Sequence, residues 1–318
     1  MDSRKALDGR AIGLMLVLCA IWGLQQVVLK ATAADITPIF QIAVRSGVAA
    51  LLVGMVMLVR RNRMSVANAT WRPGLSVALL FGVEFWLVGE GLRHTSAAHM
   101  VVFLYTAPIF AALGLHWRLP SERMAPLQWL GIGLAFFGLA LAFFGGAKAG
   151  SPVHGNMLWG DFLGLMGGIA WGATTVVVRS SNLARAPATE TLLYQLVGAF
   201  VLLMAVAFST GQVHVNLTPQ VWASLVFHSL VVSFVSYLVW FWLLRQYLAA
   251  QLGVFSFLTP MFGIVFGALW LGEHIESSFL MGAVPLMAGI VLVSGHAWLA
   301  QKWRLLARAT GPACADDR

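Results

Sequence analysis

The sequence predicts an all-α integral membrane protein with ten transmembrane helices, arranged as two inverted five-helix repeats. Three observations support this fold class: a very apolar composition, ten long apolar runs, and a set of short motifs that occurs twice. Of the 318 residues, 59% are hydrophobic and 10% are charged, and the mean hydropathy is +0.83. A soluble domain carries about 25% charged residues, so this composition indicates a polytopic membrane protein.

The apolar runs are each about 20 residues long, which is the length of helix that crosses the hydrocarbon core of a bilayer. We expect spans at 11–30, 38–59, 75–93, 97–116, 127–145, 158–178, 190–209, 221–243, 250–270 and 278–299. The chain then divides into a first repeat (11–145), an outer linker (146–157), a second repeat (158–299) and a cytoplasmic tail (300–318). Because the connections are short, any function must lie within the helix bundle.

The two halves carry the same short motifs in the same order, 149 to 152 residues apart. Since each half holds an odd number of spans, the second half enters the membrane from the opposite side. Many secondary transporters are built from such inverted repeats. The pairs are Trp22-Gly23 with Trp171-Gly172, Leu92-Arg93 with Leu244-Arg245, Pro108 with Pro260, and Glu122 with Glu273.

The basic residues lie mostly on one side of the predicted membrane. Of the 20 lysines and arginines, 16 fall in segments on the same side as the N-terminus, and Lys30, Arg93 and Lys148 fall on the other. This asymmetry follows the positive-inside rule and predicts that both termini are cytoplasmic. The net charge of +8 is therefore explained by topology. We expect no nucleic-acid partner, because the basic residues form no clustered face.

Three titratable residues lie deep within the predicted spans. A charge at the middle of a helix costs about 2.5–3.5 kcal/mol on insertion scales, so it needs a partner or a cavity. By helical rise, Arg45 and Glu84 both lie about 10–14 Å below the outer surface, which makes them the best candidate ion pair. Such a pair either pins two helices together or exposes a charge to substrate or to protons. His228 lies at a similar depth and is a second candidate for a proton-binding group.

Uncharged polar residues and prolines recur at matching places in the two halves. Pro108 and Pro260 each remove a backbone hydrogen bond at mid-membrane, and paired interrupted helices of this kind indicate a binding site. A simple packing kink is the alternative. We expect the substrate to contact deep aromatic rings and nearby hydrogen-bonding groups: Trp86, Tyr105, Trp171, Trp240, Gln25, Gln26, Thr175 and Ser256. Asp161 suits the positive N-terminal end of span six.

These residues resemble the EamA family of the drug/metabolite transporter superfamily. The matching pieces are the two Trp-Gly pairs, Arg45, and the blocks Phe85–Pro108 and Tyr237–Pro260 with the glutamates that follow them. The resemblance covers residues 11–299, with Ser121 where the family usually has glycine. It implies ten helices around a central cavity and export of small metabolites, often amino acids, across the bacterial inner membrane.

We therefore expect a secondary transporter that exports amino acids, including aromatic and apolar ones, or similar metabolites by alternating access. We expect no cofactor and no metal, and the lack of a Walker-type Gly-Lys motif argues against direct use of ATP. The sequence leaves proton coupling and oligomeric state open. The first rival function is efflux of lipophilic cations on the same scaffold, which would use a carboxylate that lies within the membrane and is accessible to the substrate. More remote rivals are an intramembrane enzyme and a channel.

Overall fold

The computed structural model describes residues 8–60, 70–120, 123–144, 152–247, 252 and 255–310. Within these residues the regular structure is helical. The α-helices are α1 Gly9–Ala31, α2 Pro38–Val59, α3 Trp71–Gly91, α4 Ala97–Leu104, α5 Ala107–Arg118, α6 Pro126–Phe144, α7 Pro152–Arg179, α8 Ala188–Ser209, α9 Pro219–Val226, α10 Tyr237–Gln246, α11 Leu258–Leu271 and α12 Ser277–Thr310. A π-helix, Phe227–Ser236, joins α9 to α10, and a short 3₁₀ helix covers Asn182–Arg185.

Helix starts follow from local sequence. The Asp8 carboxylate accepts a hydrogen bond from Ala11 N at 2.8 Å at the start of α1, and the Ser96 hydroxyl accepts one from His99 N at 3.0 Å at the start of α4. Both are N-caps that satisfy backbone donors left free by the first turn. Pro38, Pro126 and Pro219 begin α2, α6 and α9, where a missing N–H costs nothing.

Seven helical segments in the described residues are long and apolar enough to cross a membrane, and three more are apolar but shorter. The seven are Gly9–Ala31, Pro38–Val59, Trp71–Gly91, Ala97–Arg118, Asn156–Arg179, Ala188–Ser209 and Pro219–Trp240, and the shorter three are Pro126–Ala142, Leu258–Leu271 and Ser277–Val293. An all-helical fold with several candidate spans agrees with the sequence. Ten spans in two inverted repeats stay a prediction.

Two helices extend beyond the predicted ends of their spans. The helix α7 begins at Pro152, inside the segment expected to be the outer linker. The helix α12 continues to Thr310, through most of the segment expected to be a tail. Glu122 of the repeated glutamate pair, Ser121 and Lys148 lie outside the described residues.

Helices from the two halves of the chain pack against each other throughout the bundle. The helix α1 packs on α11, and α7 packs on α4 and α5; α2 packs on the π-helix, and α3 packs on α8. In addition, α2 packs on α8, and α6 packs on α12. Apolar cores fill these contacts, including one formed by α1 to α4 with α8 and one formed by α4 to α6 with α11 and α12.

The bundle has two ends that are useful landmarks. We call the end where α1 begins, at Asp8, the near end, and the end where α1 finishes, at Ala31, the far end. Asp8 contacts Tyr247 at the near end. At the far end an isolated antiparallel bridge joins Ile36 to Val215.

Candidate functional site

A cluster of buried polar side chains lies between the two ends, on α1, α2, α3 and the π-helix. Its centre is Arg45 of α2, which is only 2% exposed. Arg45 Nη1 donates a hydrogen bond to Gln25 Oε1 of α1 at 2.9 Å, and its guanidinium carbon lies 4.6 Å from the centroid of the Phe85 ring of α3. A cation over an aromatic face is stabilised by the ring quadrupole, so three helices meet at this one charge.

The hydrogen-bonded chain continues from Gln25 to His228, which is fully buried. His228 Nε2 lies 3.1 Å from the backbone oxygen of Gln25, and Nδ1 lies 2.8 Å from the backbone oxygen of Ser224 and 3.2 Å from Gln41 Nε2. Gln41 Nε2 also donates to Ser224 Oγ, and Gln41 Oε1 accepts from the Thr32 hydroxyl at 2.9 Å. A series of hydrogen-bonded polar groups therefore extends from Arg45 toward the far end.

Glu84 of α3 is 4% exposed, but the expected contact with Arg45 is not formed. Glu90 instead pairs with Arg93, and the carboxylates of Glu90 and Asp161 contact His94 and His99, contacts that are ion pairs when the histidine is protonated. Glu84 Oε2 is buried without a hydrogen-bond partner. Glu84 and Arg45 still lie within electrostatic range of each other and of Tyr237. The two charges therefore share one region of the bundle without meeting.

Other buried polar atoms in this region also lack hydrogen-bond partners. They are Arg45 Nε and both amide atoms of Gln26. Gln26 lies three residues after Gly23, on the face of α1 that meets Thr259 of α11. Buried polar groups are nearly always hydrogen-bonded in proteins, and exceptions concentrate where a water or a ligand binds. These atoms are therefore the strongest geometric indication of a binding region.

Two aromatic pairs lie near this region. Tyr105 and Trp171 meet edge to face with ring centroids 5.2 Å apart, and Trp22 and Trp240 do so at 5.6 Å. The Trp22 indole donates to Ser236 Oγ of the π-helix at 2.9 Å. Tyr105 also lies within electrostatic range of Glu84.

Trp86 does not belong with these aromatic residues, contrary to expectation. It is 40% exposed, on the same stripe of α3 as the exposed Leu75 and Leu79. This stripe is the outward face that a membrane protein presents to lipid. Thr175 is also less free than expected, because its hydroxyl donates to Trp171 O of its own helix at 3.2 Å.

The helical structure is interrupted before each of the paired prolines. The helix α4 ends at Leu104 and α5 begins at Ala107, one residue before Pro108. In the second half, Ser256 is half-buried just before a turn at Phe257, and α11 begins at Leu258, two residues before Pro260. Tyr105 thus lies in the first interruption, next to the buried cluster.

The far end is tied together by several polar contacts. Lys30 donates to Leu92 O at 2.9 Å and also to Thr95 O. The Glu273 carboxylate accepts from Ala97 N at 2.6 Å and from Ala98 N at 3.0 Å, so it caps α4 from the segment that follows α11. Asp161 is 2.9 Å from His99 Nδ1 and accepts from the Thr95 hydroxyl at 2.5 Å. Asp161 is therefore paired within the bundle. Its predicted place at the N-terminal end of its helix is corrected, because α7 begins at Pro152 and has no acidic residue in its first turn.

The near end is also tied together by polar contacts. Tyr247 donates its hydroxyl to Asp8 Oδ2 at 2.9 Å, and the Thr70 hydroxyl donates to the buried Glu190 at 2.8 Å. The backbone N–H of Ala11, and then the Tyr247 hydroxyl, hold the pKa of Asp8 below its ordinary value. In turn, the hydrogen bond to Asp8 raises the pKa of Tyr247.

Sequence reasoning missed four residues of these networks: Gln41, Ser224, Tyr237 and His99. For two of them a signal was present. Gln41 lies four residues before Arg45, and Ser224 lies four residues before His228, so each faces the same side of its helix as a residue already singled out. No group of three or more His, Cys, Asp or Glu that could hold a metal ion occurs among the described residues.

Comparisons with known proteins agree with this architecture. The chain is 24% identical over 273 residues to the uncharacterized transporter YoaV of Bacillus subtilis, covering 86% of this chain and 92% of that protein. It is 25% identical over 296 residues to a probable amino-acid metabolite efflux pump of Escherichia coli, covering 90% and 95%. A crystal structure with 19% identity covers 96% of this chain and 99% of its own at a TM-score of 0.61, which shows a shared fold.

The family comparison covers both halves of the molecule. The EamA-like transporter family matches twice, at residues 9–144 and at residues 158–295. The two matches fall on α1 to α6 and on α7 to α12, so each half of the chain is one family unit. The chain belongs to the EamA-like transporter family.

Proposed function

We propose that this transporter exports amino acids, including aromatic and apolar ones, or similar small metabolites across the bacterial inner membrane by alternating access. The observation that carries the proposal is the buried cluster around Arg45 and Glu84. It combines two opposite charges, unpartnered polar atoms and the Tyr105–Trp171 pair. Such a lining suits a small molecule with a charged head and an apolar body. The efflux-pump relative adds support at the level of substrate class.

Alternating access requires two units that can rock against each other, and we propose that these are two inverted five-helix repeats. The helix contacts support a two-fold arrangement. When each helix is replaced by its counterpart in the other half, the α1–α11 contact corresponds to the contact of α7 with α4 and α5. In the same way, the contact of α2 with the π-helix corresponds to the α3–α8 contact. The contacts α2–α8 and α6–α12 join counterparts directly. This is the pattern expected when a pseudo-two-fold axis relates the halves.

Efflux of lipophilic cations is the second candidate, and the unpaired Oε2 of Glu84 is the observation that favours it. A buried carboxylate without a partner attracts a cation. The nearby Arg45 charge opposes a ligand that carries only positive charge, however, and it favours one that carries both signs. The amino-acid proposal therefore stands first.

The test is uptake into proteoliposomes that contain the purified protein, using a labelled amino-acid panel and a lipophilic-cation panel, with and without a pH gradient. We expect saturable flux of aromatic and branched amino acids above protein-free liposomes. Flux of the cations alone would transfer the proposal to multidrug efflux. Flux of neither panel would remove both substrate classes.

A further inference from the structure

Arg45 and Glu84 are opposite charges that both have hydrogen-bonding capacity left over. Arg45 Nε and Glu84 Oε2 are buried and lack partners, while the two side chains are 2% and 4% exposed. Leaving an ionised group buried without a partner is costly, and a direct ion pair would relieve both groups at once. The absence of a hydrogen-bond partner at both atoms therefore requires a physical explanation.

The surroundings hold the two groups apart. The Arg45 guanidinium is fixed by Gln25 on one side and by the Phe85 ring on another. Phe85 is the residue next to Glu84 on α3, so the ring that contacts the guanidinium is attached to the backbone beside the carboxylate. Arg45 and Glu84 still act on each other electrostatically, so both groups would attract a small bridging group with charges of both signs.

Resting on the proposed function, we propose that Arg45 and Glu84 together bind the head of a zwitterionic α-amino acid. Arg45 binds the carboxylate through its free Nε–H, and Glu84 binds the ammonium through its free Oε2. Charge-assisted hydrogen bonds of this kind are the strong ones. A ligand with only one of the two charges would leave the other protein charge uncompensated, so the site selects the zwitterion.

The same geometry places the side chain of the amino acid. Tyr105 lies within electrostatic range of Glu84 and packs edge to face against Trp171. An aromatic side chain that extends from the bound head toward this pair would bury apolar area and gain ring contacts. Phenylalanine is therefore a suitable probe, and it has simple analogues that lack one charge each.

The experiment measures binding of three ligands to the purified full chain in lipid nanodiscs. They are L-phenylalanine, 3-phenylpropionate, which lacks the ammonium, and phenethylamine, which lacks the carboxylate. The variants are Arg45→Gln and Glu84→Gln, which keep polar side chains without charge. Glu90→Gln is the control, because Glu90 is on the same helix but belongs to a separate ion pair with Arg93.

We expect the wild-type protein to bind phenylalanine more tightly than either analogue. Arg45→Gln should weaken phenylalanine on the order of 10- to 100-fold and leave phenethylamine unweakened. Glu84→Gln should weaken phenylalanine by a similar factor and leave 3-phenylpropionate unweakened. Glu90→Gln should match the wild type. A general folding defect would weaken all three ligands together and would not produce this crossed pattern.

The outcomes separate this inference from the proposed function. If the wild type binds phenylalanine but the variants weaken all ligands equally, or none, the assignment to Arg45 and Glu84 is wrong while amino-acid transport stands. If the wild type binds none of the three, both fail. Should either Gln variant not fold, Arg45→Lys and Glu84→Asp replace them, and each must retain the wild-type order of the three ligands. Wild-type binding of phenethylamine as tight as that of phenylalanine would also overturn the role of Arg45.

Discussion

Gln25 links the buried side chains of Arg45 and His228. Its side-chain oxygen accepts from Arg45, and its backbone oxygen lies 3.1 Å from His228 Nε2. His228 can be satisfied in either protonation state. The neutral ring donates from Nε2 to Gln25 and accepts at Nδ1 from Gln41, while the charged ring donates from Nδ1 to Ser224 O, 2.8 Å away.

This versatility makes His228 a candidate for proton coupling, alongside Glu84. His228 is fully buried and shares Gln25 with Arg45, so we expect proton uptake to require the site to open. We expect His228→Gln to spare exchange of labelled for unlabelled substrate while abolishing the response of net flux to a pH gradient. Both fluxes are measured in the same proteoliposomes.

Glu84→Gln is the comparison variant, and Glu90→Gln is the control that should leave both fluxes unchanged. If His228→Gln keeps the full response to the gradient and Glu84→Gln loses it, the coupling group is Glu84. If both keep it, neither residue couples protons. A wild-type protein that does not respond to the gradient would leave facilitated diffusion as the mechanism.

At the residue scale, the sequence predicted which side chains are buried better than it predicted which residues they contact. Arg45, Glu84 and His228 were identified because charges are costly at mid-helix, and all three are buried. The predicted Arg45–Glu84 contact was wrong because depth along a helix does not fix the direction in which a side chain leaves it. Trp86 was misplaced for the same reason, although its spacing from Leu75 and Leu79 was readable as one helical stripe.

At the scale of elements, the glycine of each Trp-Gly pair explains how the halves approach each other. A Cβ on Gly23 would lie 2.8 Å from Gly263 N and 2.9 Å from Thr259 O of α11. A Cβ on Gly172 would lie 2.9 Å from Ala107 O and 3.0 Å from Ala111 N of α5. Each glycine thus lets one helix contact the backbone of the proline-containing helix of the other half.

We therefore expect Gly23→Ala and Gly172→Ala to destabilise the bundle, by about 1–3 kcal/mol each, because backbone atoms must shift to admit the methyl group. Thermal melting of the purified protein in detergent measures the change. Gly54→Ala is the matched control, since a Cβ there meets nothing within 4 Å, and it should be neutral or mildly stabilising. Equal melting temperatures for all three variants would contradict the close-packing interpretation.

The π-helix at Phe227–Ser236 was beyond sequence reasoning. It carries His228 and Ser236, which bond to α1. Hydrophobic periodicity does not separate five-residue from four-residue hydrogen-bond spacing within one apolar run, so a single continuous α-helix was expected. Such segments occur often at functional sites, and this one brings polar groups from the second half to the Arg45 cluster.

The contact between Asp8 and Tyr247 ties the start of α1 to the end of α10 and gives the near end a pH dependence. Because the folded-state pKa of Asp8 is lowered, the ionised carboxylate adds to the free energy of unfolding at pH values above its unfolded-state pKa of about 3.9. This contribution to stability is lost as the pH falls through the folded-state pKa. We expect Tyr247→Phe to raise the pKa of Asp8 toward normal and to shrink this acid-dependent part.

The measurement compares the drop in melting temperature from pH 7 to pH 3 in wild type and Tyr247→Phe. The variant should show a smaller drop, and Asp8→Asn a smaller drop still, because the Ala11 N–H also lowers the pKa. Identical drops in the three proteins would mean that this contact does not form in the membrane protein.

At the scale of the whole molecule, the number of candidate spans in the structure differs from the number predicted from the sequence. Length and composition give seven candidate spans and three shorter apolar helices, against ten expected. One short helix, α11, begins only after the turn at Phe257. The candidate span Ala97–Arg118 contains a similar interruption before Pro108. Proline-interrupted spans are also the feature expected at a transporter binding site.

Topology provides the decisive test of the five-plus-five count. Ten spans place both termini in the cytoplasm, as the distribution of basic residues predicts, and they place the far end outside. We expect an impermeant maleimide to label Asn216→Cys, at the far end beside Asp35, in intact cells. The native Cys314, in the C-terminal segment, should be labelled only after lysis, and tags on both termini should need lysis too. An accessible C-terminus in intact cells would require an odd number of spans. The two halves would then share one orientation or differ in span number, and rocking of inverted repeats would no longer be a possible mechanism.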